Sequence, residues 1–281
     1  MFTFASNVDG ITIHVHEWAP AGPPRGIVQI SHGMGEHSAR YAHLAETLAG
    51  AAFAVYADDH RGHGQSMAST PGDLGKGGWD ALVDDMVQLS GLVRARHSDL
   101  PLVLVGHSLG SFASQQYILD HSGDIAGVAL SGTTALDALL PHMSGDDSGG
   151  SVLAAFNKPF EPARTDFDWL SRDEAQVDAY IADPRCGFDL APAALAELFG
   201  AADRWADSSS VRADLPIYVF VGAHDPINGG LVFSDVLVQR YRDSGHSVTY
   251  KSYPGGRHEI LNETNRDEIE ADLLAWIDEI I

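Results

Sequence analysis

The stretch Pro101-Leu-Val-Leu-Val-Gly-His-Ser-Leu-Gly-Ser111 limits the possible folds more than any other part of the chain. Leu102 to Val105 is apolar without alternation, with Pro101 at its entry. Such a run suits a strand covered on both faces, as in a parallel sheet. Gly106-His-Ser-Leu-Gly110 follows at once and fits the pattern G-x-S-x-G. In that pattern the serine occupies a tight strand-to-helix turn, and the glycines leave room for strand and helix to cross. Phe112, Tyr117 and Ile118 then recur at helical spacing. The expectation is strand, strained turn and helix, with the Ser108 hydroxyl lifted above a sheet edge.

The rest of the chain keeps the same rhythm. Phe2–Phe4 and Ile11–Trp18 predict a half-exposed hairpin, since Ile11, Ile13 and Val15 alternate with polar residues. Further strands are expected at Gly26–Ser31, Ala52–Tyr56, Ile125–Leu130, Leu215–Val221 and Val248–Tyr253. Helices are expected at Arg40–Leu48, Trp79–Arg96, Gly230–Tyr241 and Glu263–Ile281. Leu82, Met86, Leu89 and Val93 mark the buried face of the second helix; Ile269, Leu273, Leu274 and Ile277 mark that of the last. Strands alternating with helices predict an α/β fold with a mostly parallel central sheet, flanking helices and right-handed crossovers. From 133 to 210 the rhythm stops. Helical patches at Ala135–Leu140, Ser151–Phe156, Asp173–Ala182 and Ala191–Trp205 read as a helical cap inserted into a core domain of 1–132 and 211–281. The Gly/Ser/Asp tract 144–150 reads as a mobile loop of that cap.

In a parallel sheet the chemistry gathers at the carboxyl ends of the strands. Ser108, Asp225 and His258 each fall just past such an end. A serine hydroxyl is a weak nucleophile and needs a base, which in turn needs an orienting carboxylate. Ser108 is the candidate nucleophile, His258 the base and Asp225 the carboxylate, in the chain order Ser, Asp, His. Gly33 and Gly35 follow a strand directly, so a backbone N–H there can face an open site. Two oxyanion donors are expected, the N–H groups of Met34 and Leu109. Asp137 is an alternative acid. Among the fourteen histidines, His246 lies at the wrong end of a strand, His224 shapes its own loop, and His107 lies inside the elbow but points elsewhere if Ser108 is presented. The polar loop Asp58–Ser66 is expected to be a hydrogen-bonded scaffold. Pro71–Gly78 misses the phosphate-loop spacing and follows no strand. His14 and His16 share a strand face but have no third ligand nearby, so neither a metal nor a cofactor is expected.

Bulk composition narrows the partners. Of 281 residues, 44% are hydrophobic and 20% charged, which fits a globular chain and excludes a disordered one. The formal net charge of -22 repels nucleic acid and anionic membranes. The expected partner is a small-molecule ester, with no nucleic acid and at most transient contact with lipid surfaces. A single cysteine, Cys186, rules out a disulfide framework within the chain. The N-terminal residues lack a basic segment followed by an apolar one, and no apolar run reaches membrane-spanning length. The expected location is cytoplasmic.

His32-Gly-Met-Gly-Glu-His-Ser38 with Arg40-Tyr41 resembles the oxyanion segment of the monoacylglycerol lipase and lysophospholipase group of α/β-hydrolases. Asp59-His-Arg-Gly-His-Gly-Gln-Ser66 is similar to that group's loop after the fourth strand. Gly106–Gly110, Asp225-Pro226 and His258-Glu259 fall where its elbow, acid and base fall. The resemblance implies an α/β-hydrolase fold and cofactor-free hydrolysis of a monoacylglycerol or related ester through an acyl-enzyme. It departs at Ser111, where the group often has glycine, and at the acidic, glycine-rich 145–150. Leu139, Leu140, Met143, Val152, Leu153, Phe156 and Phe160 either line an acyl tunnel or pack the cap on the core. Aryl or phthalate ester hydrolysis, aminopeptidase action and a non-catalytic binding module remain alternatives.

Overall fold

The apolar runs without alternation become the strands whose every residue is buried. They are β3 (Gly26–Ser31), β4 (Phe53–Asp58), β5 (Leu102–His107), β6 (Gly127–Ser131) and β7 (Ile217–Gly222). The alternating segments become β1 (Phe2–Ala5) and β2 (Thr12–Trp18), and β8 (Val248–Tyr253) closes the far edge. The computed structural model describes residues 1–68, 70–143 and 151–281. The tract 144–150, read above as a cap loop, lies outside the described residues.

The eight strands form one sheet in the order β1-β2-β4-β3-β5-β6-β7-β8. Pairing is antiparallel from β1 to β2 and from β2 to β4, and parallel across the rest. Parallel neighbours need crossovers, and helices supply them. These are α1 (Ala42–Gly50), α2 (Gly78–Arg96), α3 (Leu109–His121) and α8 (Val232–Asp243), while α9 (Arg266–Ile280) follows the last strand and packs back on the sheet. Between β6 and β7 come α4 (Leu136–Leu139), α5 (Val152–Ala155), α6 (Glu174–Ala182) and α7 (Pro192–Ala201).

Two apolar clusters cover the sheet. On one face, Leu44 and Leu48 of α1 and Ile269, Leu273, Trp276 and Ile277 of α9 pack on Val28, Val55, Val103 and Val105. On the other, α2, α3 and α8 share one cluster with Leu139, Leu153, Trp169 and Leu190 from the β6–β7 segment. Leu140, Met143, Phe156 and Phe160 pack against that cluster while half-buried. The same segment is tied down by polar bonds. Trp79 N–H, at the start of α2, donates to Glu197 of α7 at 2.9 Å, where a carboxylate also suits the helix dipole. Ala191 N–H donates to Gly72 O and Gly187 N–H to Gly35 O, both at 2.9 Å.

Element ends differ from expectation where backbone geometry overrides pattern. Helix α8 starts at Val232 because Gly229, Gly230 and Leu231 all hold positive φ. Helix α1 starts at Ala42 because Ser38–Tyr41 makes a tight 3₁₀ turn, with Ser38 N–H and Oγ both bonded to Asp59 Oδ1. Leu274, expected to face the sheet, is only half-buried, and Trp276 takes the larger share of that face.

Candidate active site

Strand β5 delivers Ser108 at φ 51°, ψ -117°, directly before α3. Both motif glycines are required by contact. A Cβ on Gly106 would lie 2.5 Å from Gly110 O, and one on Gly110 would lie 2.2 Å from Ser31 O. Ser108 N–H donates to Ser131 O at 2.9 Å, which pins the turn to the end of β6. Ser108 O accepts from Ser111 N–H at 2.8 Å and from Ser111 Oγ at 2.6 Å. The serine at 111 therefore braces the elbow with a bond that glycine lacks.

Asp225 and His258 come from the ends of β7 and β8. Asp225 caps the turn after β7, with Oδ1 accepting from Ile227 N–H at 2.9 Å. Its Oδ2 lies 2.8 Å from His258 Nδ1, and both residues are buried. A carboxylate only accepts, so Nδ1 carries the proton and Nε2 of the neutral ring is free to accept one. Burial disfavours the imidazolium, but the Asp225 charge and hydrogen bond outweigh it and raise the His258 pKa above the ordinary histidine value. The His258 ring is sandwiched, 4.8 Å from His107 and 4.9 Å from Trp169. Burial first, then nearby His258, holds His107 well below the ordinary value, so it stays neutral beside the pair. Among the described residues no protein hydrogen bond joins Ser108 Oγ to His258, and neither side chain has a sealed, unpartnered polar atom. Ser131 O bonds the Ser108 backbone, and a Cβ on the next residue, Gly132, would lie 3.0 Å from His258 Cε1. The two thus lie close together beyond the ends of β5 and β8, and such bonds commonly tighten only around substrate.

Gly33 lies against the serine: a Cβ there would sit 3.3 Å from Ser108 Cβ. Gly33 N–H donates to Glu36 Oε1 at 2.6 Å. The next N–H, of Met34, and the N–H of Leu109 have no protein acceptor among the described residues. First-turn helix amides and such loop amides are available to an anion. Glu36 also accepts from Tyr41 Oη at 2.7 Å and from Arg40, whose guanidinium pairs with both Glu259 oxygens at 2.5 and 2.7 Å. This buried Glu36–Arg40–Glu259 chain joins the Met34 loop to the residue after His258. Burial would discharge Arg40 and Glu259 alike, but their pairing keeps both charged, Arg40 well above and Glu259 below its ordinary pKa.

Rival candidates have other work. Asp137 makes a two-point bond to Arg240 at 2.7 and 2.8 Å and none to His258. His246 is buried near Ser208 O, away from these residues. The Asp58–Ser66 loop is a scaffold: Asp59 holds Ser38 and Gln65, and Arg61 reaches Asp85, Ser6, Leu74 O and Lys76 O. Within it, Ser31, His60 and Asp58 form a second Ser–His–Asp chain, with both bonds 3.0 Å, but all three are fully buried and no substrate reaches them. His37, Asp183 and Cys186 bring one ligand atom each within 4.8 Å. Arg185 already grips the Asp183 carboxylate at 2.9 and 3.1 Å, and burial pushes the Cys186 thiol up to about 12, so the trio is a poor metal site.

The contacts of Glu36, Arg40, Glu259, His32 and Trp169 emerge only from the folded arrangement. The i, i+4 spacing of Glu36 and Arg40 carried a signal. No local pattern marks Trp169 as a neighbour of His258, because its partner is 89 positions away in the chain.

The family model described as "Serine aminopeptidase, S33" matches residues 22–265. The chain belongs to that family of α/β-hydrolases. It is 32% identical to the monoacylglycerol lipase of Mycolicibacterium smegmatis, over 97% of this chain and 95% of that one. It is 28% identical to the monoglyceride lipase of Mus musculus, over 92% and 87%. Among solved structures, a thermostable carboxyl esterase from Bacillus coagulans in complex with glycerol superposes with a TM-score of 0.84 at 31% identity, covering 99% of this chain and 97% of that one. This α/β-hydrolase is an ester hydrolase by family, and none of its described helices is long and apolar enough to cross a membrane.

Proposed function

We propose that this α/β-hydrolase cleaves carboxylic esters of the monoacylglycerol or lysophospholipid type through an acyl-enzyme on Ser108. The observation that carries the reading is the 2.8 Å bond between His258 Nδ1 and Asp225, which leaves Nε2 as a base beside a serine on a strained elbow. His258 takes the Ser108 proton as Oγ attacks the ester carbonyl and returns it to the leaving alcohol. Asp225 holds the tautomer and offsets the imidazolium charge. The N–H groups of Met34 and Leu109 receive the oxyanion; one such donor is worth about 3–4 kcal/mol of barrier in other hydrolases. Water repeats the sequence to release the acid, and no step needs a cofactor.

The segment 133–210 acts as the cap in this reading, and Phe156, Trp169 and Leu153 give its underside an apolar character that suits an acyl chain. The lipase names of the relatives favour a glycerol ester. The family description favours a second reading, an aminopeptidase. That activity needs a free carboxylate for the substrate ammonium, whereas Glu36 and Glu259 are paired with Arg40 and Asp225 is engaged by His258 Nδ1. A cytoplasmic site of action accords with the single cysteine.

Ser108→Ala is expected to lower turnover of p-nitrophenyl butyrate by about 10⁴-fold or more. Wild-type and variant are assayed together on acylglycerols, lysophospholipids, aryl esters and aminoacyl anilides. Activity of the variant within about tenfold of wild type, on the scale of a removed nucleophile, overturns the reading. Turnover of the anilides alone moves it to the aminopeptidase.

A further inference from the structure

We propose that His32 is a positioning residue for the oxyanion hole: its Nδ1–H holds the Gly33 carbonyl so that the Met34 N–H is turned toward the Ser108 side of the loop. The proposal rests on the reading of Met34 as an oxyanion donor. His32 follows the last residue of β3, and its ring is wholly buried, 4.1 Å from the His60 ring and 5.2 Å from His63.

The tautomer follows from the partners. Nε2 lies 3.0 Å from the backbone N of His60, a group that only donates, so Nε2 carries no proton. Nδ1 lies 2.8 Å from Gly33 O, a group that only accepts, so Nδ1 carries it. Across a trans peptide the C=O of Gly33 and the N–H of Met34 point in opposite directions. Holding the carbonyl toward the buried imidazole therefore drives the amide away from it. On the other side of the glycine, Glu36 fixes the Gly33 N–H at 2.6 Å. Both peptide units around Gly33 are thereby set, and the Met34 N–H is left without a protein acceptor. Gly33 itself abuts Ser108. An apolar side chain at 32 would leave the His60 N–H and the Gly33 carbonyl unpaired in the core and free the peptide to rotate. Burial first, then His60 and His63, holds the imidazole well below the ordinary histidine pKa, so the neutral donor–acceptor form persists.

The test compares His32→Ala and His32→Gln with wild type on p-nitrophenyl butyrate. Two inhibitors accompany it: an alkyl trifluoromethyl ketone, which forms a tetrahedral adduct with the serine, and an unreactive ether of the same shape. His32→Ala is expected to lower kcat about 10- to 100-fold, part of the loss seen when one donor is removed. KM and ether affinity should stay within about threefold, while ketone affinity falls in step with kcat. His32→Gln, which keeps one donor and one acceptor, should recover most of the loss. A folded His32→Ala enzyme with kcat within about threefold of wild type overturns the proposal, as does an equal loss of affinity for both inhibitors. Should the alanine variant not fold, the nitrogen-15 ring spectrum of the wild-type protein decides: a proton on Nδ1 of His32 supports the proposal and one on Nε2 overturns it. If wild type is inactive on every ester, or Ser108→Ala keeps its activity, the reading beneath the proposal has failed instead.

Discussion

Ser108 holds a left-handed backbone that costs a side-chain-bearing residue about 1–3 kcal/mol. The cost is offset by three bonds to its carbonyl and amide from Ser111 and Ser131. The proposed base, His258, has a distinct titration. The His258 pKa lies above the ordinary histidine value because the Asp225 carboxylate outweighs burial. Only the neutral ring accepts the Ser108 proton, so kcat/KM should rise with pH through a midpoint above about 6.5. A pH–rate profile measured from 5 to 9 checks this; a flat profile, or a midpoint at or below the ordinary value, removes His258 as the base. At this scale the strained turn at Ser108 and the meeting of Asp225 with His258 were legible, because each of these residues stands at a strand end. The sequence was silent where a role depends on distant packing. Trp169 looks like any core aromatic until its ring is found on His258, and His32 looks like one of fourteen histidines until both ring nitrogens are traced.

Among the elements, the strand–turn–helix of β5 and α3 has the least tolerance. Gly110 lets α3 pass over β3 so closely that an added methyl would meet the Ser31 and His32 carbonyls at 2.2 and 2.6 Å. Both are backbone atoms and cannot swing aside. Gly110→Ala should therefore cost at least about 1–3 kcal/mol of stability and displace the Leu109 amide. A urea titration and kcat measured on the same preparation check this; a variant with unchanged midpoint and unchanged kcat would show that the helix shifts freely. The buried strands were readable within a few residues because continuous apolar runs admit little else. The starts of α1 and α8 were not readable, since a polar bond from Asp59 and three successive positive-φ residues decide them.

For the whole molecule the dominant property is charge. With a net of -22, the protein should remain in solution beside phosphatidylglycerol vesicles at about 0.01 M salt, where screening is weak and repulsion reaches about 30 Å. Co-sedimentation that weakens as salt is added would reveal a local basic face and contradict this. The break in rhythm between β6 and β7 was legible, but not how that segment is attached. Its leucines and aromatics join the same apolar cluster as α2, α3 and α8. This segment and the helices on that face of the sheet are thus parts of one interior. A foreign segment grafted between β6 and β7 would leave the apolar side chains it now covers on α2, α3 and α8 wet, so on the proposed reading new substrate preference is more readily reached by exchanging single side chains such as Leu139, Leu153 and Phe156 than by replacing the segment wholesale.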